Sequence, residues 1–144
     1  MRQASFTSRF FAYLIDQFIL QMVAWVAMTP LFLLSGLASS LGGGLFDRLG
    51  SLGSALALTT AVLQFVYFGF FWSKNGQSPG KHLVGIRVVG RSSERLSFMQ
   101  AGLRGSFGYW LSGLVFSLGY IWAAFDADGE AWHDKLYQTR VVIE

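Results

Sequence analysis

The chain has 144 residues, of which 53% are hydrophobic, 17% aromatic and 13% charged, with no cysteine and a net charge of +3. Soluble domains carry roughly 25% charged residues, so this composition predicts a membrane protein. The lack of cysteine excludes disulfides, thiolate catalysis and cysteine-held metals. The excess of Lys and Arg is read as a record of membrane orientation and not as a nucleic-acid surface.

The first apolar stretch, Phe10 to Gly36, is long enough to cross ~30 Å of hydrocarbon at 1.5 Å per residue. Arg2 and Arg9 precede it and Gly36-Leu37-Ala38 has the look of a cleavage site. The run nevertheless exceeds the ~7 to 15 apolar residues of a signal peptide and is interrupted by Asp16, so it is taken as the first span. An ionised carboxylate at the centre of a bilayer costs about 2.5 to 3.5 kcal/mol, which makes Asp16 the first candidate functional residue. Arg9, Tyr13, Asp16, Gln17, Leu20 and Gln21 fall on one helical face, and all but Leu20 are polar. Arg9 can snorkel to the interface or fold back towards Asp16, roughly 10 Å away along the axis. For the Gln residues, and for Thr59, Thr60 and Gln64 on the second span, the ordinary use is hydrogen bonding between helices.

The loop 37–53 is rich in Gly and Ser and carries one basic residue, Arg48; it reads as a flexible connector. The second span covers 54–72. The following loop, 73–97, holds Lys74, Lys81, Arg87, Arg91 and Arg95, so the positive-inside rule places it and the N-terminus in the cytoplasm. Its opening, Gly76-Gln-Ser-Pro-Gly-Lys81-His82, has one residue too few for a phosphate loop and histidine where Ser or Thr should hold magnesium, so a turn is expected. The β-branched cluster that follows contains Ile86-Arg-Val-Val, nearly repeated by Thr139-Arg-Val-Val-Ile, and these two segments are predicted to pair as short cytoplasmic strands.

That pairing puts the C-terminal tail, 126–144, on the same side as the loop 73–97, so the third apolar stretch, Phe98 to Phe125, must enter and return. As one helix its 28 residues would measure about 42 Å, too little for two full spans. Arg104, Gly113, Gly119 and the break at Ser117-Leu-Gly favour a re-entrant hairpin over a single tilted span. Gly102, Gly105 and Gly108 recur every three residues, as close helix approach requires. The acidic segment from Asp126 begins like a calcium loop, but its glycine falls too early and Tyr137 stands where the twelfth ligand should be. His133 beside Asp134 could handle protons, yet neighbours on a helix point apart, which favours an anchoring role for His133.

Arg9 at the head of the first span, Asp16 within it, the Gly76 to Val89 segment and the closing Trp132-His-Asp-Lys-Leu-Tyr-Gln-Thr-Arg-Val-Val together resemble the RDD family of prokaryotic membrane proteins. The resemblance implies that the arginine and two aspartates of the family name correspond to Arg9, Asp16 and Asp134. It also implies a multi-pass protein of the prokaryotic plasma membrane, transport-related, with cation/proton exchange as the activity some members resemble. The acidic Asp126 to Glu130 segment departs from relatives that look more basic there.

The expectation is therefore an all-α membrane protein forming one domain over 1–144. It is a small helical bundle of two full transmembrane helices plus a third apolar segment, with a short β pairing. Arg9, Tyr13, Asp16, Gln17, Gln21 and Asp134 form the polar transport site, and His133 is a secondary proton-handling candidate. No metal, cofactor, nucleic acid or enzymatic activity is expected. Two spans and a hairpin cannot enclose a pathway, so the transport reading needs a homo-oligomer or a larger partner. The competing reading is an accessory subunit that docks onto another membrane protein. Besides the bilayer itself, the basic loop offers contact to anionic lipids at ~1 kcal/mol per Lys or Arg.

Overall fold

The computed structural model of the chain describes residues 2–38, 44–114 and 118–144. Two long helices dominate it, α1 (Phe6–Ala38) and α2 (Leu45–Lys74), of 33 and 30 residues. Both are long and apolar enough to cross a membrane, and their outer faces carry Phe18, Val26, Leu33, Leu58 and Val62 unburied, as lipid contact requires. They overrun the apolar stretches 10–36 and 54–72 at both ends. Hydropathy marks only the apolar part of a helix, whereas backbone pairing carries it on to a breaker; for α2 that breaker is Asn75-Gly76, where Gly76 takes φ 76°. Of the connector 37–53, residues 39–43 lie outside the described residues.

A short helix, α3 (Pro79–Val84), follows the turn, started by Pro79 at its first position and ended by Gly85 at φ 68°. It leads into β1 (Ile86–Gly90). The third apolar stretch is broken into α4 (Phe98–Leu103), a π-helical turn (Arg104–Gly108), α5 (Tyr109–Gly113) and α6 (Leu118–Phe125). The two halves meet at 92°. Ser117, part of the expected break, lies outside the described residues. A five-residue α7 (Trp132–Leu136) and β2 (Thr139–Ile143) complete the chain.

The predicted strand pairing is present. β1 and β2 are antiparallel, with Ile86 opposite Ile143 and Gly90 opposite Thr139. The free edge of β2 is taken by the N-terminal segment: Ala4 N–H donates to the Val141 carbonyl at 2.9 Å, and Ile143 N–H to the Arg2 carbonyl at 2.9 Å. Both strand edges of β2 are thus satisfied. The start of α1, the end of α2, and both ends of segment 98–125 therefore gather at one end of the molecule. The third segment is bent by 92° at its break, the geometry of a re-entrant loop or of a broken span.

Glycines make its packing tight. Gly102 and Gly105 lie against Phe65 and Phe68 of α2; a Cβ on Gly102 would sit 2.8 Å from the Phe65 ring, and one on Gly105 would overlap Phe68. The segment thus crosses α2 between Phe65 and Trp72, the half of the span next to the small sheet. The buried core lies at the same level, built from Ala12, Leu20, Phe68, Trp72, Tyr109 and the inward strand residues Ile86, Val88 and Val141.

Candidate functional site

Asp16 is 1% exposed, on the buried α1 face that also holds Ala12, Leu20 and Ala24. Its carboxylate accepts three hydrogen bonds. Oδ1 takes the Gly80 N–H at 2.8 Å and the Tyr67 hydroxyl at 2.9 Å, and Oδ2 takes the Ser78 hydroxyl. The first N–H groups of a helix lack partners within it, and here Asp16 supplies the acceptor for α3 from another helix. Gly80 is required by this contact, because a Cβ would collide with the Ala12 carbonyl and come within 2.9 Å of the Asp16 carboxylate. The Gly76 to His82 segment, expected as a turn, is thus a turn plus a one-and-a-half-turn helix clamped to Asp16.

Docking α3 buries Lys81, which is 2% exposed. Its ammonium lies over the Trp72 ring, 5.3 Å from the centroid, and makes no hydrogen bond or ion pair among the described residues. Burial pulls its pKa down to about 7; the nearby Arg104 and Arg9 act in the same direction, and Asp16 and Asp134 oppose them.

Asp134, fully buried, forms the second carboxylate centre. Arg9 Nη1 donates to its Oδ2 at 2.9 Å, and Arg104 Nη2 and the Thr139 hydroxyl donate to its Oδ1. The Ala131 N–H adds a fourth donor at 3.2 Å, so Asp134 also caps the start of α7. Burial alone would raise this carboxyl, but the charges of Arg104 and Arg9 hold it well below the usual carboxylate range. Arg9 therefore folds onto Asp134 and not back towards Asp16.

Arg104 is fully buried, its guanidinium 4.7 Å above the Trp72 centroid, with Nε donating to the Thr139 hydroxyl at 2.8 Å. The π-helical turn begins at this residue, and such turns re-aim side chains that a regular helix would point elsewhere. Sequence reasoning treated Arg104 only as a break in an apolar run. The signal that singled out Asp16, a charge within an apolar stretch, applied to it equally.

The remaining stripe residues divide by depth. Tyr13 packs edge-on to Tyr109 at 5.3 Å and against Tyr120 at 5.2 Å. Gln17 accepts from Gln64 Nε2 at 3.2 Å, the interhelical use expected of both. Thr59 donates to the Met28 sulfur at 3.5 Å, and Gln21 lies on the outer side of α1, facing a groove shared with Thr60 and Gln64. His133 does not bond to Asp134, the closest approach being 3.9 Å. Its ring is wedged against Tyr109 and Tyr120 and its Nδ1 meets the Ser112 hydroxyl at 2.9 Å, while burial lowers its pKa to about 3 and keeps it neutral. In the acidic segment, Asp126 is engaged by Lys135 and the Glu130 N–H, and Glu130 by Arg91 at 2.9 Å.

These elements enclose a cavity of about 250 Å³ between α1, α3, the π-helical turn and α6. Arg9, Lys81, Arg104, Tyr13, Tyr109, Tyr120 and His133 supply its polar side chains, and neither Asp16 nor Asp134 lines it.

The RDD family model matches residues 3–138, which takes in both carboxylate centres, the α3 clamp and the returning segment. The chain belongs to the RDD family. Two relatives from Bacillus subtilis (strain 168) match this RDD chain over nearly its whole length. The uncharacterized protein YxaI is 30% identical over 99% of both chains, and the uncharacterized membrane protein YteJ is 27% identical over 98% of this chain and 81% of its own. No solved structure matches it. As an RDD protein with two apolar helices of spanning length, the chain is a membrane protein whose α1 and α2 lie in lipid.

Proposed function

We propose that this RDD protein is transport-related and that its central event is the gain and loss of one proton on Lys81. The supporting observation is Lys81, buried and without an ion-pair partner among the described residues, on the wall of a cavity beside the lipid-facing helices. With its pKa drawn down to about 7, it changes charge in the range where a cell operates. Asp16 and Asp134 lie behind it, each held by several donors, so a change on Lys81 alters the net charge of the cavity by one. A second charged species then has a reason to enter or leave with the proton.

Cation/proton exchange, the activity implied by the family resemblance, is one form of this coupling: a cation would replace the departing ammonium charge near Asp16. No enzymatic step is part of the reading. The Lys and Arg asymmetry supports a cytoplasmic position for the N-terminus, the small sheet and the mouth of the site, in a prokaryotic plasma membrane. The path itself requires further chain, a second copy or a larger partner. The groove where Gln21, Thr60, Gln64 and Ser106 face outward beside Gly53, Ala57 and Ala61 is the part of α1 and α2 suited to such packing, and it equally supports a docking role.

The test is proton movement in liposomes containing the purified protein, driven by imposed sodium, potassium or phosphate gradients. Wild type should couple one of these to a pH change, and Lys81→Met and Asp16→Asn should not. Equal rates for all three would remove the proposal.

A further inference from the structure

Residues that line the cavity carry charged donors without partners among the described residues. Among the described residues Lys81 Nζ makes no hydrogen bond and lies over the Trp72 ring, and Arg104 Nη1 and Arg9 Nε are buried without a partner. All three residues line the cavity. Buried polar groups are nearly always paired, and unpaired charged donors are the costliest exceptions. The missing groups are therefore acceptors, and the charge balance gives their sign: three cations, Arg9, Lys81 and Arg104, stand against two carboxylates that both lie outside the lining. The cavity volume, several times the ~30 Å³ share of one water, admits a tetrahedral oxyanion.

The mouth is of a different character. Phe6 and Phe10, stacked at 6.3 Å, and Ile121 line the cavity and are at the same time 37%, 47% and 39% exposed. They face outward between α1 and α6, near the start of α1, where the helix enters its apolar stretch. A group reaching the cations from this side passes between apolar rings at the level of the membrane boundary.

We propose that the cavity is a phosphate-binding site in which Lys81 holds, and the charges of Arg9 and Arg104 attract, the oxygens of a phosphomonoester, presented either by a lipid headgroup or as free phosphate. Lys81 contributes a point charge with rotatable donors, and Arg9 and Arg104, whose unpaired Nε and Nη1 lie buried behind the wall, contribute positive charge. The site rests on the proton-handling reading only in that Lys81 must be charged to bind. It names an oxyanion as the second charge of the coupling.

The experiment is an equilibrium measurement, independent of transport. Delipidated full-length protein in uncharged detergent is titrated with phosphatidic acid, with diacylglycerol of the same chains, and with inorganic phosphate, followed by thermal unfolding and native mass spectrometry. Phosphatidic acid should bind one per chain and raise Tm, and diacylglycerol should do neither. Lys81→Met should weaken binding at least ten-fold. Ala123→Phe, which fills the cavity without altering charge, should do the same, and it keeps the test intact if Lys81→Met does not fold. Arg95→Gln, at an exposed site on the basic loop, should leave binding unchanged. Binding of both phosphatidic acid and phosphate supports the site with either source; binding of phosphatidic acid alone supports the lipid source. Binding that persists unchanged from pH 6 to pH 9 in wild type, but is lost in Lys81→Met, keeps the site and rejects the titrating lysine alone. Failure of both phosphate probes to bind, or equal weakening by Arg95→Gln and Lys81→Met, would overturn the proposal.

Discussion

Arg9 and Asp134 meet at 2.9 Å although 125 positions separate them in the chain. The contact ties the start of the first span to the last helix, and through Arg104 on the other carboxylate oxygen it also ties in the returning segment. Three parts of the fold converge on one carboxyl group that has no access to water.

Replacing Asp134 should consequently damage the whole cap. Removing one partner of a buried ion pair costs about 3 to 5 kcal/mol, because the remaining charge is stranded. Asp134→Ala strands two arginines, and its loss of stability should reach at least that range by thermal or denaturant unfolding in detergent. Arg9→Met should cost less, since the Arg9 side chain is 12% exposed. A double-mutant cycle between Arg9 and Asp134 that returned no coupling would contradict the role assigned to this pair.

At Asp16 the Gly80 N–H can only donate, while the Ser78 and Tyr67 hydroxyls can also turn to accept, so Asp16→Asn keeps partners for its amide but loses the charge that strengthens the three bonds. A loss of about 1 to 3 kcal/mol is expected, together with faster hydrogen exchange over residues 77–84 as α3 loosens. Gly80→Ala should produce the same exchange pattern by steric means. Unchanged exchange in both variants would mean that α3 is held by something else.

The acid response follows from two buried bases. His133 has a folded pKa of about 3 against an ordinary 6.5, so between those values the unfolded chain binds more protons and stability rises with pH. Lys81 behaves likewise between about 7 and 10.5. Each contributes a slope of up to about 1.4 kcal/mol per pH unit within its window. His133→Gln should flatten the lower window and Lys81→Met the upper one, read from Tm against pH; a variant whose curve matched wild type would exclude that residue as the source.

Close approach of the returning segment to α2 depends on Gly105. Gly105→Leu should force it off Phe68, lower Tm and expose Trp72, which is fully buried. Tryptophan fluorescence in detergent would shift accordingly, and an unperturbed spectrum would contradict the packing.

The strand pairing makes a topological demand. Reporters fused before residue 2 and after Glu144 should report the same side of the membrane, because β2 lies between β1 and the N-terminal segment. Opposite sides would be incompatible with the sheet.

Much of this was legible in sequence because it depends on local properties. Low charge and long apolar runs identify α1 and α2 whatever they pack against, and the repeated β-branched segments mark both strands. Asp16, Arg9 and Asp134 were also legible, as were the glycines at spacing three. What sequence by itself could not determine is which charge meets which. Helical spacing allowed Arg9 to reach Asp16, yet the return of segment 98–125 brings Asp134 and Arg104 to it first. Lys81 looked like one more basic residue in a polar loop. Only the seating of α3 on Asp16, a contact between residues 64 positions apart, removes it from water and leaves it unpaired on a cavity wall. Burial is a property of neighbours brought together by the tertiary fold, and pKa, pairing and vacancy all follow from burial.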